Sequence, residues 1–411
     1  MREAGPPQGA NAPLEGQVLA RTQASRSALT PDQPGPQNRL SRAAGAAAPS
    51  GGRALHEVNP RGGKILRRPV HGVLLLDKPL GLSSNQALQK AKWLLRADKA
   101  GHTGTLDPLA TGVLPLCFGA ATKFSQIQLD ADKTYEAVLL LGQKTSTADA
   151  EGDVIETRPV PAITQELLDE LTRRFTGPQT QVPPMYSALK KDGKALYEYA
   201  RKGEEVEREA RHITVYKLNM AVAHDPRAQA AIKIIVSCSK GTYIRTLGED
   251  IGEAMGCGAH LGSLRRLETG GYTDVQCVSL PALEAMSEAG REACLLPVQS
   301  LVASYPLVTL DADNAGRFLS GLRRRGTPGQ WGPDAALVQV YGPSTPSTEL
   351  RTGGSAQTGT AAAFLGSAHV TADELIPGRL LSPIEIQDML ACRPSVSASP
   401  AATAAVAQPS I

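Results

Sequence analysis

Residues 101 to 115 read Gly-His-Thr-Gly-Thr-Leu-Asp-Pro-Leu-Ala-Thr-Gly-Val-Leu-Pro, with one histidine and one aspartate among three glycines and two prolines. Pro108 disfavours helical geometry at Asp107, and Gly104 and Gly112 permit sharp turns. A carboxylate here can therefore be projected from a scaffold instead of lying along it. A projected carboxylate can serve as a nucleophile and form a covalent intermediate, as in retaining glycosidases. Asp before Pro is also a common turn former, and the loop alone does not separate the two roles. A second cluster lies between Pro183 and Gly203, where Lys190, Lys191, Lys194, Arg201 and Lys202 are interleaved with Tyr186, Tyr197 and Tyr199. Cations beside aromatic faces suit phosphates and stacked bases. A solvated helix with packing tyrosines has the same composition.

The elements that must hold these residues are partly readable. Gly72 to Pro79 is an apolar run closed by Pro79 and Gly81, which predicts a strand. A helix follows, capped by Ser83 or Ser84, with Leu88, Ala91 and Leu95 on one buried face. Gly101 to Gly112 is read as a loop. Tyr135, Ala137, Leu139 and Leu141 alternate as in a strand ending at Gly142. Thr164 caps a second helix, whose Leu167, Leu168, Leu171 and Phe175 share a face and which Gly177-Pro178 stops. Ile232 to Ser237 is rich in β-branched residues and predicts a buried strand. A turn at Lys240-Gly241 then leads to a helix begun by Ile244, Leu247 and Ile251, with Arg245 in its first turn.

The chain has 411 residues, enough for two domains with separate cores. Hydrophobic residues make up 41 % and charged residues 20 %, and no apolar run approaches the ~20 residues of a membrane span. The net charge of +3 permits an RNA partner without requiring one. The cysteines at 117, 238, 257, 277, 294 and 392 form no C-x-x-C pair, which argues against a zinc site and a disulfide framework and for a reducing cytoplasm. Residues 1 to about 68 are rich in Pro, Gly, Ala, Ser and Gln with scattered Arg, and read as a disordered extension. A passive tail is favoured there over one that attracts RNA phosphates, and a transit peptide ranks lower. Beyond Val302 short strand-like runs, Pro306 to Leu310, Ala336 to Tyr341 and Ala363 to Gly366, predict a small separate β-rich domain. Residues 343 to 360 read as a flexible loop within it, and 393 to 411 as a disordered tail.

The segment Gly-His-Thr-Gly-Thr-Leu-Asp-Pro-Leu-Ala-Thr-Gly-Val-Leu resembles the catalytic motif of the TruB family of tRNA pseudouridine synthases. The likeness extends over Gly72 to Ser84, Gly101 to Ser125, Asp132 to Asp153, Pro184 to Tyr216, Cys238 to Thr246 and Gly256 to Leu267. It implies an α+β pseudouridine synthase fold on a mixed, mainly antiparallel sheet spanning 69–300, with an RNA-binding insertion at about 183–210. A weaker likeness implies a small PUA-like β domain over 301–392. The resemblance makes Asp107 the nucleophile of a reaction that breaks the C1′–N1 bond of a uridine, turns the uracil and joins C5 to C1′. The carboxylate, ionised at neutral pH without tuning, attacks either C1′ or ring C6. Tyr135 corresponds to a tyrosine that stacks on the uracil and takes part in removing the C5 proton. Arg245 corresponds to an arginine paired with the nucleophile, and His102 to a histidine that helps hold the RNA with the target base flipped out. Tyr243 and Leu264 correspond to residues lining the uracil pocket, and Asp149 to a polar partner in the site. Lys190 and Arg201 are the expected phosphate contacts.

The implied substrate is the T-arm of tRNA, with uridine 55 as the target. No cofactor, metal, membrane or obligatory protein partner is implied. Two other classes compete with this reading. An RNA-binding or tRNA-folding protein with incidental catalysis would bind tRNA without needing Asp107, and a hydrolase would release free uracil.

Overall fold

The computed structural model describes residues 66–334, 336–343 and 362–391. The extension through residue 65, nearly all of the 343 to 360 loop, Cys392 and the tail from 393 lie outside the described residues. Leu66 to Val70 already joins the body, because the Arg68 N–H donates to Arg96 O and its carbonyl accepts from Asp98 N. The extension expected through about residue 68 therefore gives way slightly earlier.

Among the described residues, one sheet holds eleven strands. Its principal strands are β1 (Gly72–Lys78), β2 (Ala100–His102), β3 (Ala110–Phe118), β4 (Lys133–Leu141), β5 (Gly177–Gln181), β6 (Arg211–Ala223), β7 (Ala231–Cys238) and β8 (Ala259–Thr269). From the two-residue strand Val278–Ser279 at one edge, the order is β1, β3, β8, β4, β7, β6, β5. Only β1 with Val278–Ser279 and β3 with β8 run parallel along this path, so the sheet is mixed and mainly antiparallel as expected.

The helices start where the residues dictate. Ser83 caps α1 (Ser84–Leu94) in a capping box with Gln86, and Ala87, Leu88, Ala91 and Leu94 are buried. Thr164 caps α2 (Gln165–Arg174), with Leu168 and Leu171 buried. Helix α3 (Ile244–Ala254) buries Ile244, Leu247 and Ile251 against the sheet.

Pleating splits β1 and β3 between two cores, because successive side chains point to opposite faces. Leu74, Leu76, Leu114 and Leu116 enter the core that holds the inner faces of the three helices. Val73, Leu75, Val113 and Cys117 enter a second core together with Val338, Phe364 and Leu375 of a separate sheet. That sheet has five strands, ordered Leu307–Thr309, Leu337–Pro343, Ala362–Thr371, Glu374–Leu380, Arg324–Arg325. It covers the predicted strand-like runs, and two helices not anticipated, Ala312–Leu319 and Pro383–Ala391, accompany it. Phe124 meets Phe364 with ring centroids 5.5 Å apart, and Lys123 reaches Glu385 at 2.6 Å.

Candidate active site

The expected loop from Gly101 to Gly112 is shorter in the structure. Ala100–His102 pairs with β3, and β3 begins at Ala110, leaving 103–109 to carry Asp107. Gly112 is a strand residue, with φ +97 where β3 passes β8. A Cβ there would fall 2.2 Å from Arg266 O, so only glycine permits the approach. The loop is pinned from several sides. Ser84, at the start of α1, both donates to Leu106 O at 2.9 Å and accepts from Leu106 N at 2.7 Å through its hydroxyl. Gly81 N donates to Pro108 O, and Ala110 N donates to Asp107 O. The turn is thus set by bonds to its backbone, and the Asp107 side chain is left 41 % exposed.

Arg245, on the first turn of α3, is buried and binds the Asp107 carboxylate through Nη2 at 2.8 Å. The same nitrogen donates to Tyr186 O at 2.6 Å, while Nη1 donates to Thr147 O at 3.1 Å and lies 3.7 Å from the Asp149 carboxylate. Asp149 is buried, and its carboxylate accepts from Thr147 Oγ1 at 2.6 Å and Glu151 N at 3.1 Å. One guanidinium therefore ties the carboxylate of the loop to a second acid and to the start of the Lys- and Tyr-rich segment. Burial pushes the Asp107 carboxyl above its ordinary value; Arg245 opposes this and Asp149 adds to it. The carboxylate expected to need no tuning thus sits between the upward push of burial and the downward pull of Arg245.

Tyr135 on β4 is buried and lies opposite Arg266 of β8 in register. Burial raises its phenol, against which the charge of Arg266 pulls down. His102 ends β2, half-buried, with Nδ1 enclosed and unbonded; burial and then Arg266 lower its imidazole. Leu264 pairs with Ala110 and Ala137, which sets it beside the loop's exit. Tyr243 is the N-cap of α3, and Gln181 of β5 clasps its backbone at 2.8 and 3.0 Å. Side-chain contact thus joins Asp107, Arg245 and Asp149, and strand register sets Tyr135 and Leu264 alongside. Lys190 and Arg201 are not in this group. Lys190 is exposed on a two-residue strand, and the exposed Arg201 guanidinium lies 5.2 Å over the Tyr197 ring. From 183 to 210 six basic residues are matched by six acidic ones, with four of the acids in 204–209, so the balance is positive only in the part before Gly203.

Two cations of the site escaped sequence reasoning. Lys78, the last residue of β1, is fully buried and donates to Pro79 O at 2.9 Å and Leu82 O at 2.5 Å. Burial pushes its ammonium down to about 8, although Asp107 and Glu151 pull it up. Arg266 is 1 % exposed and donates to Val113 O at 2.7 Å and Gly104 O at 3.2 Å. Lysine and arginine are mostly surface residues, and nothing local in the sequence signals that these two are buried. Among the described residues, no group of three or more His, Cys, Asp or Glu side chains could hold a metal, and no helix is long and apolar enough to cross a membrane.

The architecture matches a chain of a Cbf5–Nop10–Gar1 complex with a TM-score of 0.53, at 23 % identity over 80 % of this chain and 92 % of that one. It also matches a chain of an archaeal box H/ACA Nop10–Cbf5 complex at 0.51, with 22 % identity over 80 % and 93 %. These two likenesses show a shared α+β architecture. In sequence, residues 92–244 match the TruB family pseudouridylate synthase N-terminal domain, and 245–303 the tRNA pseudouridylate synthase B C-terminal domain. The chain is 59 % identical over 333 residues to tRNA pseudouridine synthase B of Verminephrobacter eiseniae, covering 80 % of this chain and 95 % of that protein. It is 59 % identical over 290 residues to the protein of the same name from Ralstonia pickettii, covering 70 % and 90 %. The chain belongs to the TruB family of pseudouridylate synthases.

Proposed function

We propose that this enzyme converts uridine 55 in the T-loop of tRNA to pseudouridine, with Asp107 as the nucleophile. The observation that carries this reading is the 2.8 Å pair between Arg245 and Asp107 on a loop pinned at both ends. Arg245 fixes the carboxylate rotamer and opposes the tendency of burial to protonate it. The carboxylate attacks C1′ or ring C6, and the C1′–N1 bond breaks. The freed uracil turns among Tyr135, Tyr243 and Leu264, and C5 joins C1′. The bond to the Asp107 carboxylate breaks, the C5 proton leaves with the Tyr135 phenol nearby to take part, and N1 takes up a proton. Atoms balance without a co-reactant.

Uridine in a folded T-loop must be extruded, at a cost of a few kcal/mol that other contacts offset. The segment from Pro183 to Gly203, with Lys190 and Arg201 on phosphates, supplies those contacts in this reading, and the small C-terminal sheet is a PUA-like module that adds to them. His102 helps hold the flipped nucleotide, and Asp149 steadies Arg245. The test is an unmodified tRNA transcript incubated with the protein or with Asp107→Asn, followed by carbodiimide-adduct primer extension. A stop at uridine 55 with the unmutated protein alone supports the reading. Binding without a stop from either points instead to an RNA-binding or tRNA-folding protein.

A further inference from the structure

Arg266 is a buried cation that no carboxylate pairs with among the described residues; its guanidinium donates to two backbone carbonyls and also meets the Tyr135 phenol. Burying such a charge is costly, and an apolar side chain of similar volume would pack there at less expense. What the guanidinium does that Met or Leu could not is reach two carbonyls with one planar fork. Its Nε holds Val113 O at 2.7 Å, and its Nη2 holds Gly104 O at 3.2 Å. The backbone of the same residue runs in register with Gly112. A Cβ on Gly104 would lie 3.3 Å from Arg266 Nη1, so the fit is close at the loop's entrance as well as at its exit. The span from Gly104 to Val113, which carries Asp107, is therefore closed on one side chain, and that residue also faces Tyr135 across the sheet.

From this convergence we infer that Arg266 is a positioning residue for the isomerisation: it fixes the Asp107 loop relative to Tyr135 and directs its positive charge at the Tyr135 side of the site. The inference rests on the tRNA-isomerising reading above. The charge also accounts for part of the lowering at His102 and of the pull on the Tyr135 phenol.

The test uses the full chain, tRNA transcript, and the variants Arg266→Met and Arg266→Lys. Misplacement of a nucleophile by about 1 Å costs roughly 100-fold in rate, so kcat is expected to fall about 100-fold in Arg266→Met and about 10-fold in Arg266→Lys, with KM within about threefold. The His102 imidazole, followed by NMR, should titrate higher in Arg266→Met and stay near its original position in Arg266→Lys, although both variants lose the planar fork. An Arg266→Met kcat within about threefold of the unmutated protein, or a KM rise that accounts for the whole loss, overturns the inference. If neither variant folds, Arg266→Gln, which keeps a planar donor without the charge, takes their place under the same kcat and KM criteria. The unmutated protein separates the two readings. If it makes no pseudouridine the tRNA reading falls and the inference with it, whereas equal activity in it and Arg266→Met sinks the inference alone.

Discussion

At the residue scale, Asp107 is held between opposing influences. Packing around the loop and the nearby Asp149 favour its neutral form, and Arg245 favours the ionised form that a nucleophile needs. Activity should therefore fall on acidification with a midpoint above the ordinary aspartate value of about 4. Removing the guanidinium leaves burial and repulsion unopposed, so Arg245→Gln should move that midpoint upward as well as lower the plateau rate. Single-turnover rates against pH check this; a midpoint that stays in place or drops contradicts the assignment of Arg245 as the group that keeps Asp107 charged.

At the scale of elements, the site depends on where β1, β3 and β8 bring backbone and cations together. Lys78 ends β1 with its ammonium buried and lowered to about 8, whereas an unfolded lysine titrates near 10.4. Between those values the unfolded chain binds the extra proton, so the folded state gains stability as pH rises. Relative to Lys78→Met, the protein should thus become more stable from about pH 8 to about pH 10.4, by up to roughly 3 kcal/mol. Urea denaturation across that range measures the difference, and a flat or falling difference would place the ammonium in a wetter setting than the structure gives it.

What the sequence disclosed follows the same elements. The Ser83 cap with Leu88 and Ala91, the alternation through Tyr135 and the face of Ile244, Leu247 and Ile251 were legible because each obeys a single local period. Strand β8 was not, because register shifts between Leu261 and Ser263 and between Arg266 and Glu268 break its period of two. The start of strand β3 reads as loop because Gly112 and Pro115 break a strand pattern, and the place of Gly112 is explained only by its fit against Arg266. The Asp107–Arg245 pair was expected from family likeness, since no local pattern links positions so far apart; Lys78 and Arg266 were missed because burial is a tertiary property.

At the scale of the whole molecule, a net charge of +3 leaves RNA attraction to local placement. The acids at 204–209 narrow the basic part of the 183 to 210 segment to its first two-thirds, where Lys190 and Arg201 stand exposed and unattached to the Asp107 cluster. Reversing both charges should weaken tRNA binding and reduce the slope of log affinity against log salt by roughly 1.4 to 1.8, the value for losing two phosphate contacts. Unchanged affinity across a salt series would remove the segment from the interface.

The proposed isomerisation requires that Asp107 act while uracil never leaves the enzyme. Transcript labelled with tritium at uridine C5 tests it directly, because joining C5 to C1′ releases that hydrogen to water while cleavage alone does not. One tritium should be released per tRNA with pseudouridine as the only new nucleoside, and none from Asp107→Asn. Release from Asp107→Asn at the unmutated rate, or free uracil in place of pseudouridine, would contradict it.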